Sequence, residues 1–419
     1  MVLSAGLAAC GGGSHSGVTT INWYVNPDSS GATDVVAAAC SKQSNGQFKL
    51  VVNPLPSTAD AQREQLVRRL AAKDSAIDLM SVDPPYTAEL ANAGWLSPFT
   101  DAERAQILQG VLASPTQSAI WKGQLVAAPF FANTQLLWYR KSVAAKAGVD
   151  PNSPTFTWDQ MIDAAVKTGT TVAEQGQKYE GYMVWINALV LSAGGSILQN
   201  NDKGRDATAS LNSAAGRQAA DIIKKLATSK AAPPGLSNAD EEASRAAFEG
   251  PTGGFLLNWP YVYAAMQGNV KDGSLSASVF NDVGWARFPR VTAATPSQPP
   301  LGGINLAISK FSAHRAATLQ ALQCLISPAL EKQNMLMSGN PVSNGTVYDD
   351  PDIQKKFPMA GLMRDSINAG GSRPVTPYYG DVSSSIQRTW HPPAAISPST
   401  APAAATTLIT NVLHDKRLL

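Results

Sequence analysis

The chain is poor in histidine and cysteine, and it contains no long apolar segment. Its four histidines stand far apart, so a histidine-based metal site or catalytic triad is not expected. No stretch approaches the roughly 20 apolar residues of a transmembrane helix. The motifs G-x-x-x-x-G-K-[ST], G-x-G-x-x-G, H-E-x-x-H and G-x-S-x-G are also missing. These absences argue against nucleotide-binding enzymes, zinc proteases and serine hydrolases, and we expect neither a metal nor a cofactor.

Charge is sparse and balanced. Charged residues make up 15% of the chain and the formal net charge is +2, with lysine and arginine scattered rather than clustered. A nucleic-acid partner is therefore not expected. The 419 residues exceed what one hydrophobic core usually organises, so we expect two domains. The nine tryptophans stand out, because a flat indole ring packs equally well in a core or against a sugar ring.

The three cysteines fall into two groups. Cys10 ends the run L-A-A-C, which resembles the lipobox at which bacterial lipoproteins are cut and lipidated. Residues 1–17 would then be a signal remnant and flexible tether, although the basic residues that usually precede a lipobox are missing. The alternative is a chance match in an alanine-rich leader. With Cys10 lipidated, Cys40 and Cys324 remain as an even pair, either bridged in an oxidising compartment or buried as free thiols.

Strand and helix patterns alternate in the first part of the chain. Apolar strands are predicted at residues 19–25, 48–52 and 77–82, with amphipathic helices between them. This alternation is typical of a doubly wound α/β domain, in which ligands bind beyond the carboxyl ends of strands. Asn26 and Asp83 follow the first and third strands and are therefore candidate ligand-binding residues. The alternatives are a turn role for Asn26 and a helix cap for Asp83.

Residues 245–265 combine a helix end, a short strand and an aromatic cluster. The run G-P ends the helix, residues 255–257 form an apolar strand, and N-W-P-Y at 258–261 breaks that strand. A sugar site needs carboxylates and amides for the hydroxyl groups and an aromatic ring for the C–H face. Trp259 is the best candidate for such a ring, and the alternative is a core tryptophan below the site.

The pattern E-E-x-x-R-x-x-F, then a short strand and N-W-P-Y, resembles the carbohydrate-binding proteins that supply ABC importers. The likeness is strongest to the trehalose/maltose branch, and within it to LpqY-type trehalose-binding lipoproteins. It extends over about residues 18–419. It implies a periplasmic-binding-protein-like α/β fold, with two doubly wound lobes joined by a hinge and a ligand cleft between them. Lobe I would comprise residues 18–128 and 282–327, and lobe II residues 129–281 and 328–419.

The resemblance also implies which residues hold the ligand. The set is Asn26, Asp83, Asn133, Glu241, Glu242, Trp259, Tyr261, Gly302, Gly303, Asn305 and Arg373. Of the two adjacent glutamates, Glu241 is the better candidate to face the cleft. The alternative is that both glutamates lie on a solvent-exposed face of the helix. Glycine at 302 and 303 permits close backbone approach to a ligand. Asn133 can instead serve a turn, and Arg245 and Arg373 can instead pair with structural carboxylates.

The function implied by the resemblance is capture of trehalose for uptake and recycling. The partners would be an ABC permease heterodimer of the SugABC type and its ATPase subunits, and the protein would be monomeric outside that complex. It would sit at the extracytoplasmic face of the plasma membrane through a lipid anchor, and it would not be an enzyme. Alternatives are a maltose- or maltodextrin-binding protein, a surface glycoside hydrolase using two carboxylates, and a structural envelope lipoprotein.

Overall fold

The structure, a computed structural model, describes residues 17–418. The predicted lipidation site at Cys10 lies outside the described residues. This part of the chain contains thirteen strands: β1 (Thr19–Val25), β2 (Phe48–Pro54), β3 (Leu79–Val82), β4 (Ile120–Trp121), β5 (Gln124–Leu125), β6 (Ala128–Thr134), β7 (Leu136–Arg140), β8 (Thr171–Ala173), β9 (Leu198–Gln199), β10 (Thr208–Ala209), β11 (Gly253–Asn258), β12 (Val283–Ala286) and β13 (Leu301–Ile308).

Eighteen α-helices accompany the strands in residues 17–418: α1 (Ala32–Gln43), α2 (Ala59–Ala71), α3 (Thr87–Asn92), α4 (Asp101–Ile107), α5 (Ala113–Ser118), α6 (Lys141–Ala147), α7 (Trp158–Thr168), α8 (Glu180–Ser192), α9 (Ala214–Thr228), α10 (Glu241–Glu249), α11 (Tyr261–Asp272), α12 (Ala277–Asn281), α13 (Arg315–Leu325), α14 (Pro328–Ser338), α15 (Pro351–Lys356), α16 (Ala360–Asn368), α17 (Tyr379–Trp390) and α18 (Ala401–Leu413). None of these helices is both long enough and apolar enough to cross a membrane.

Several helices begin where the sequence supplies a capping side chain. Thr157 forms a capping box with Gln160 at the start of α7, and Thr58 accepts a hydrogen bond from the backbone at the start of α2. At α10 the cap is Asp240, whose carboxylate accepts from the amide of Ala243. These caps satisfy backbone N–H groups that have no partner within the helix, and so they fix where each helix begins.

Five strands form the first sheet, in the order β2-β1-β3-β13-β6. β1 runs parallel to β2 and β3, whereas β13 runs antiparallel to β3 and β6. The parallel strands are connected through α1 and α2, because parallel neighbours need a long crossover. β1 and β3 end at the same edge of the sheet, which brings Asn26 and Asp83 to that edge.

Four strands form the second sheet, in the order β12-β7-β11-β8. β7 is antiparallel to β11 and β12, and β8 is parallel to β11. Every residue of β7 and β11 is buried, as expected for central strands covered on both faces. The predicted α/β fold with two lobes is confirmed, although both sheets are mixed rather than wholly parallel.

The sheets assign two strands differently from the predicted lobe boundaries. β6, predicted to begin lobe II, pairs with β13 in the first sheet, and β12, predicted in lobe I, pairs with β7 in the second. The chain therefore crosses between the sheets at Gln135 and again between β12 and β13. Strand pairing decides such boundaries, and the order of motifs along the chain does not contain that information.

Cys40 and Cys324 form a disulfide in the structure, with their Cα atoms 5.8 Å apart. Cys40 lies on α1 and Cys324 on α13, and both helices pack on the first sheet. The bridge spans 284 residues of sequence. It therefore ties together the two chain segments of the first lobe, which the second lobe separates in sequence.

Candidate functional site

A cleft of about 320 Å³ lies between the two lobes. The first lobe contributes the segments after β1 and β3 together with β13, and the second contributes the starts of α8 and α10 and the segment after β11. Nine of the eleven predicted ligand-binding residues line this cleft: Asn26, Asp83, Asn133, Glu241, Trp259, Tyr261, Gly302, Gly303 and Arg373.

Asn258 fixes the positions of Trp259 and α10. Its side-chain amide donates to the carbonyl oxygen of Glu241 at 2.9 Å and to Ser244 Oγ at 3.1 Å, and its Oδ1 accepts from the Trp259 amide at 2.7 Å. Asn258 is fully buried, so water does not compete for these bonds. The asparagine of the N-W-P-Y run is thus structural, and it ties the start of α10 to the backbone of Trp259.

Trp259 reaches the opposite lobe at Gly302 on β13. A Cβ atom on residue 302 would lie 2.8 Å from Cη2 of the indole ring, closer than van der Waals contact allows. The neighbouring Gly303 has φ of +119°, and a Cβ there would lie 2.1 Å from the carbonyl oxygen of Phe131. The two glycines therefore meet different needs: Gly302 admits the indole ring, and Gly303 permits a backbone conformation that a side chain would prevent.

Glu241 presents a carboxylate to the cleft. Tyr179 donates its hydroxyl to Oε2 of Glu241 at 2.8 Å. Burial raises the pKa of Glu241, only partly opposed by hydrogen bonds that include the one from Tyr179. A carboxylate has about four lone-pair sites, so Glu241 keeps capacity to accept further hydrogen bonds from a ligand.

A second carboxyl group, Glu174, lies close to Glu241. It is fully buried, and neither of its oxygens has a hydrogen-bond partner within residues 17–418. Burial raises the pKa of Glu174 well above its ordinary range, and the nearby charge of Glu241 raises it further. The surroundings of Glu174 therefore favour its neutral, protonated form.

A buried cluster of charged residues occupies another part of the cleft wall. Arg373 donates to both carboxylate oxygens of Asp83, at 2.7 and 3.2 Å, and to Glu180 Oε1 at 2.6 Å. Asp83 follows β3 of the first lobe, and Glu180 begins α8 of the second. Burial would lower the pKa of Arg373, but Asp83 and Glu180 hold it well above its ordinary range. The charged guanidinium thus joins the two lobes.

Glu180 is the most enclosed member of this cluster. Its carboxylate also accepts from the hydroxyls of Tyr379 and Tyr86, the latter at 3.4 Å, and its backbone N–H donates to Asp60 Oδ2 at 3.0 Å. Asp60 and Tyr86 belong to the first lobe, so these contacts add to the link between the lobes. Burial raises the pKa of Glu180 to about 7, despite the neighbouring guanidinium.

Two amide side chains meet on the cleft wall. Asn133 Nδ2 donates to Asn340 Oδ1 at 3.4 Å, and Asn133 Oδ1 accepts from the amide of Thr134 at 3.0 Å. Asn340 follows α14, which packs beside the first lobe, and it also lines the cleft. The pair, together with Asn26, supplies neutral donors and acceptors of the kind that sugar hydroxyls require.

Two of the predicted residues lie outside the cleft. Glu242 is exposed, does not line the cleft, and pairs with Arg245 at 2.6 Å. Asn305 is buried and donates to Thr87 Oγ1 and to Ser118 Oγ, both at 3.1 Å. The register between β13 and β6 shifts between Ile304 and Asn305, which breaks the regular alternation along the strand.

Several cleft residues were missed by the sequence analysis. They include Gln62, Tyr179, Glu180, Asp240 and Asn340. Glu180 carried a usable signal, because it is an acidic residue at the start of the otherwise apolar run G-Y-M-V-W-I. A charge beside such a run is often held by a buried partner. The others are ordinary polar residues whose position depends on the packing of the two lobes.

The arrangement is suited to hydrogen bonding and stacking. Within residues 17–418, no group of three or more histidine, cysteine, aspartate and glutamate side chains is placed to hold a metal ion. The polar groups of the cleft are carboxylates and amides, and its one arginine already has two carboxylate partners. Such a cleft can accept and donate hydrogen bonds around an indole face.

Comparison with known proteins identifies the class. The model of the bacterial extracellular solute-binding protein family matches residues 26–332, and this chain belongs to that family. Its members are binding proteins rather than enzymes, and they work outside the cytoplasm.

Individual relatives are more distant. The chain is 25% identical over 354 residues to a probable ABC transporter-binding protein of Deinococcus radiodurans, covering 81% of this chain and 79% of that protein. It is 22% identical over 386 residues to the diacetylchitobiose-binding protein DasA of Streptomyces coelicolor, covering 88% and 85%. Among solved structures, maltose-bound MalE3 of T. maritima superposes with a TM-score of 0.82 at 23% identity, covering 96% of this chain and all of that one. This last likeness supports the two-lobed fold.

Proposed function

We propose that this protein captures trehalose, or a closely related neutral disaccharide, and delivers it to an ABC permease heterodimer with its ATPase subunits. The observation that carries the proposal is the meeting of Trp259 and Gly302 across the cleft, which Glu241 also lines. An indole face with adjacent carboxylate and amide groups matches the C–H face and hydroxyl edge of a sugar. The names of the two curated relatives point the same way, to ABC import and to a disaccharide.

The charges of the cleft favour an uncharged ligand. Arg373 is the one lysine or arginine among the lining residues, and its guanidinium is already paired with Asp83 and Glu180. Asp240 and Glu241 add two further acidic side chains to the lining. A phosphate or carboxylate group on the ligand would meet these acidic side chains without a free cation, and would therefore bind poorly.

Size favours a compact ligand. The cleft, at about 320 Å³, is at the small end of the roughly 300–1,000 Å³ typical of ligand sites. A disaccharide suits this volume better than an extended maltodextrin. Because the lining comes from both lobes, bound sugar would favour the closed arrangement, and it would do so only to the extent that it binds that arrangement more tightly than the open one.

Calorimetric titration with trehalose, maltose and maltotriose tests the proposal, with Trp259→Ala as the matched control. We expect saturable binding, tightest for trehalose and weakened by Trp259→Ala, with no glucose released on long incubation. If maltose or maltotriose binds more tightly than trehalose, that sugar and not trehalose is the ligand. Release of glucose from any of these sugars would instead support a glycoside hydrolase, and no binding of any sugar would contradict the class of ligand.

We also propose that Cys10 anchors the protein to the membrane through a lipid. The support is the L-A-A-C run and the glycine-rich segment behind it. Full-length protein should sediment with membranes, whereas exported Cys10→Ser protein should be released into the soluble fraction. Retention of the exported Cys10→Ser protein on membranes would contradict the anchor.

A further inference from the structure

The two lobes also approach each other beside the cleft, where α17 of the second lobe meets α2 of the first. α17 packs on α8 and α18, and its second residue is Gly380. A Cβ atom on residue 380 would lie 2.9 Å from Cζ of Arg63 on α2, and 3.0 Å from one of its terminal nitrogens. Neither residue lines the cleft. Because contacts this short force one group to move, the bare backbone of Gly380 determines how closely α17 can approach Arg63.

Arg63 has little freedom to move away from α17. Its guanidinium donates to both carboxylate oxygens of Glu89, at 2.6 and 2.5 Å. It also lies over the ring of Tyr86, with Cζ 5.7 Å from the ring centre. Glu89 and Tyr86 both belong to the first lobe, and a paired contact of this kind fixes the plane of a guanidinium. A side chain at position 380 would therefore have to disrupt this pair or hold α17 away from it.

The conformation of α17 does not itself require glycine at position 380. The residue is helical and has no positive φ, so leucine would fit the backbone and would favour the helix more than glycine does. Gly361, the second residue of α16, provides a comparison, because no atom lies within 4 Å of a Cβ built there. The constraint at position 380 thus comes from the opposite lobe.

We propose that residue 380 controls closure of the lobes, and through closure the affinity for sugar, without touching the ligand. This inference rests on the proposed capture of a sugar between the lobes. A side chain at 380 would raise the free energy of the closed arrangement, since α17 and α2 separate when the lobes open. The apparent affinity for a ligand falls with the fraction of protein that is closed. Gly380 is therefore a positioning residue that acts through Arg63.

Small-angle scattering on sugar-free protein tests the contact independently of any ligand. Gly380→Leu is compared with wild type and with Gly361→Leu, the matched control at the second residue of another helix. We expect Gly380→Leu to have a larger radius of gyration than both, and increasing trehalose should reverse the expansion. In calorimetry Gly380→Leu should bind trehalose at least about fivefold more weakly, because overpacking a contact typically has an effect of this size or larger. Gly361→Leu should match wild type in both measurements.

Removal of the opposing side chain distinguishes this mechanism from damage to α17. In Arg63→Ala protein the space beside residue 380 is open, so adding Gly380→Leu should leave the radius of gyration unchanged and the trehalose affinity within about twofold. Equal expansion with and without Arg63→Ala, or equal sugar-free dimensions of Gly380→Leu and Gly361→Leu, overturns the proposal. Expansion without any loss of affinity overturns the link to sugar binding. If the dimensions change as expected but wild type binds no trehalose, the closure contact is supported and only the proposed sugar is contradicted.

Discussion

The cleft has two parts that join the same lobes by different means. In the tryptophan part, formed by Trp259, Gly302 and Glu241, an indole ring contacts a bare backbone and a carboxylate keeps free acceptor sites. In the arginine part, formed by Asp83, Arg373 and Glu180, each charge already meets its opposite. The tryptophan part thus offers an aromatic surface and hydrogen-bond acceptors to a ligand. The charged groups of the arginine part are already paired with one another across the interface between the lobes.

This difference distinguishes two roles among the residues that line the cleft: binding the ligand and holding the lobes together. A group with unused acceptors gains from a ligand, whereas a group in a buried ion pair loses its partner when the lobes move apart. We therefore infer that the tryptophan part supplies most of the direct ligand contacts and that the arginine part mainly sets the free energy of opening. Asp83, predicted as a sugar acceptor, falls in the second part because both its oxygens face Arg373.

Removing the cation of the arginine part should have the largest effect on stability. Arg373→Met leaves Asp83 and Glu180 buried without their partner, so we expect the free energy of unfolding to fall by roughly 3–5 kcal/mol in urea titrations. Arg364→Met is the matched control, since it breaks the exposed pair with Asp349 and should change stability by about 0–1 kcal/mol. Equal effects of the two substitutions would show that the arginine part does not hold the lobes.

Removing the ring of the tryptophan part should act on affinity instead. Trp259→Ala deletes the stacking surface, and we expect trehalose binding to weaken by roughly 1–3 kcal/mol in calorimetry. Trp259→Phe keeps an aromatic face and should lose less. Unfolding of both variants should shift far less than that of Arg373→Met. If Trp259→Ala protein is strongly destabilised yet binds trehalose normally, the indole ring is part of the hydrophobic core and does not contact the ligand.

The arginine part should also make stability depend on pH. Glu180 titrates near 4.5 when unfolded and at about 7 in the folded protein. Between these pKa values the folded state keeps a proton that the unfolded state has lost, so stability should fall as pH rises through this window, by up to about 3 kcal/mol. Glu331, whose pKa burial raises to about 8, contributes in the same direction. The difference between wild type and Glu180→Gln isolates Glu180, and identical pH profiles would contradict this assignment.

Adding a side chain at Gly302 should weaken sugar binding with a modest effect on stability. Gly302→Ala places a methyl group 2.8 Å from the Trp259 ring, which must shift. We expect trehalose affinity to fall by about 1 kcal/mol, because an aromatic contact of this size is displaced rather than lost. Gly268→Ala, on α11 with open space around its Cβ, is the control and should bind normally. Unchanged affinity in Gly302→Ala would show that the indole position is unimportant for the ligand.

The sequence predicted the α/β class and most of the cleft because both depend on local signals. Asn26 and Asp83 follow buried strands, and Trp259 follows a strand that ends at proline, so their place at a strand edge could be anticipated. The ion pairing of Asp83 could not, because Arg373 is 290 residues away in the chain. The lobe boundary at Gln135 could not be predicted from the sequence either. Gln135 is the single residue between β6 and β7, and these two strands belong to different sheets.

The central claim is that Asp83 acts chiefly on the opening of the lobes while Trp259 acts on the ligand. Small-angle scattering on wild type, Asp83→Asn and Trp259→Ala, without sugar and with increasing trehalose, tests it most directly. We predict that sugar-free Asp83→Asn is more expanded than wild type and becomes as compact once trehalose is raised further, because sugar shifts the same equilibrium. Sugar-free Trp259→Ala should match wild type. Two results together would contradict the account: sugar-free Asp83→Asn protein has the dimensions of wild type, and no concentration of trehalose makes it more compact. They would indicate that Asp83 binds the sugar directly.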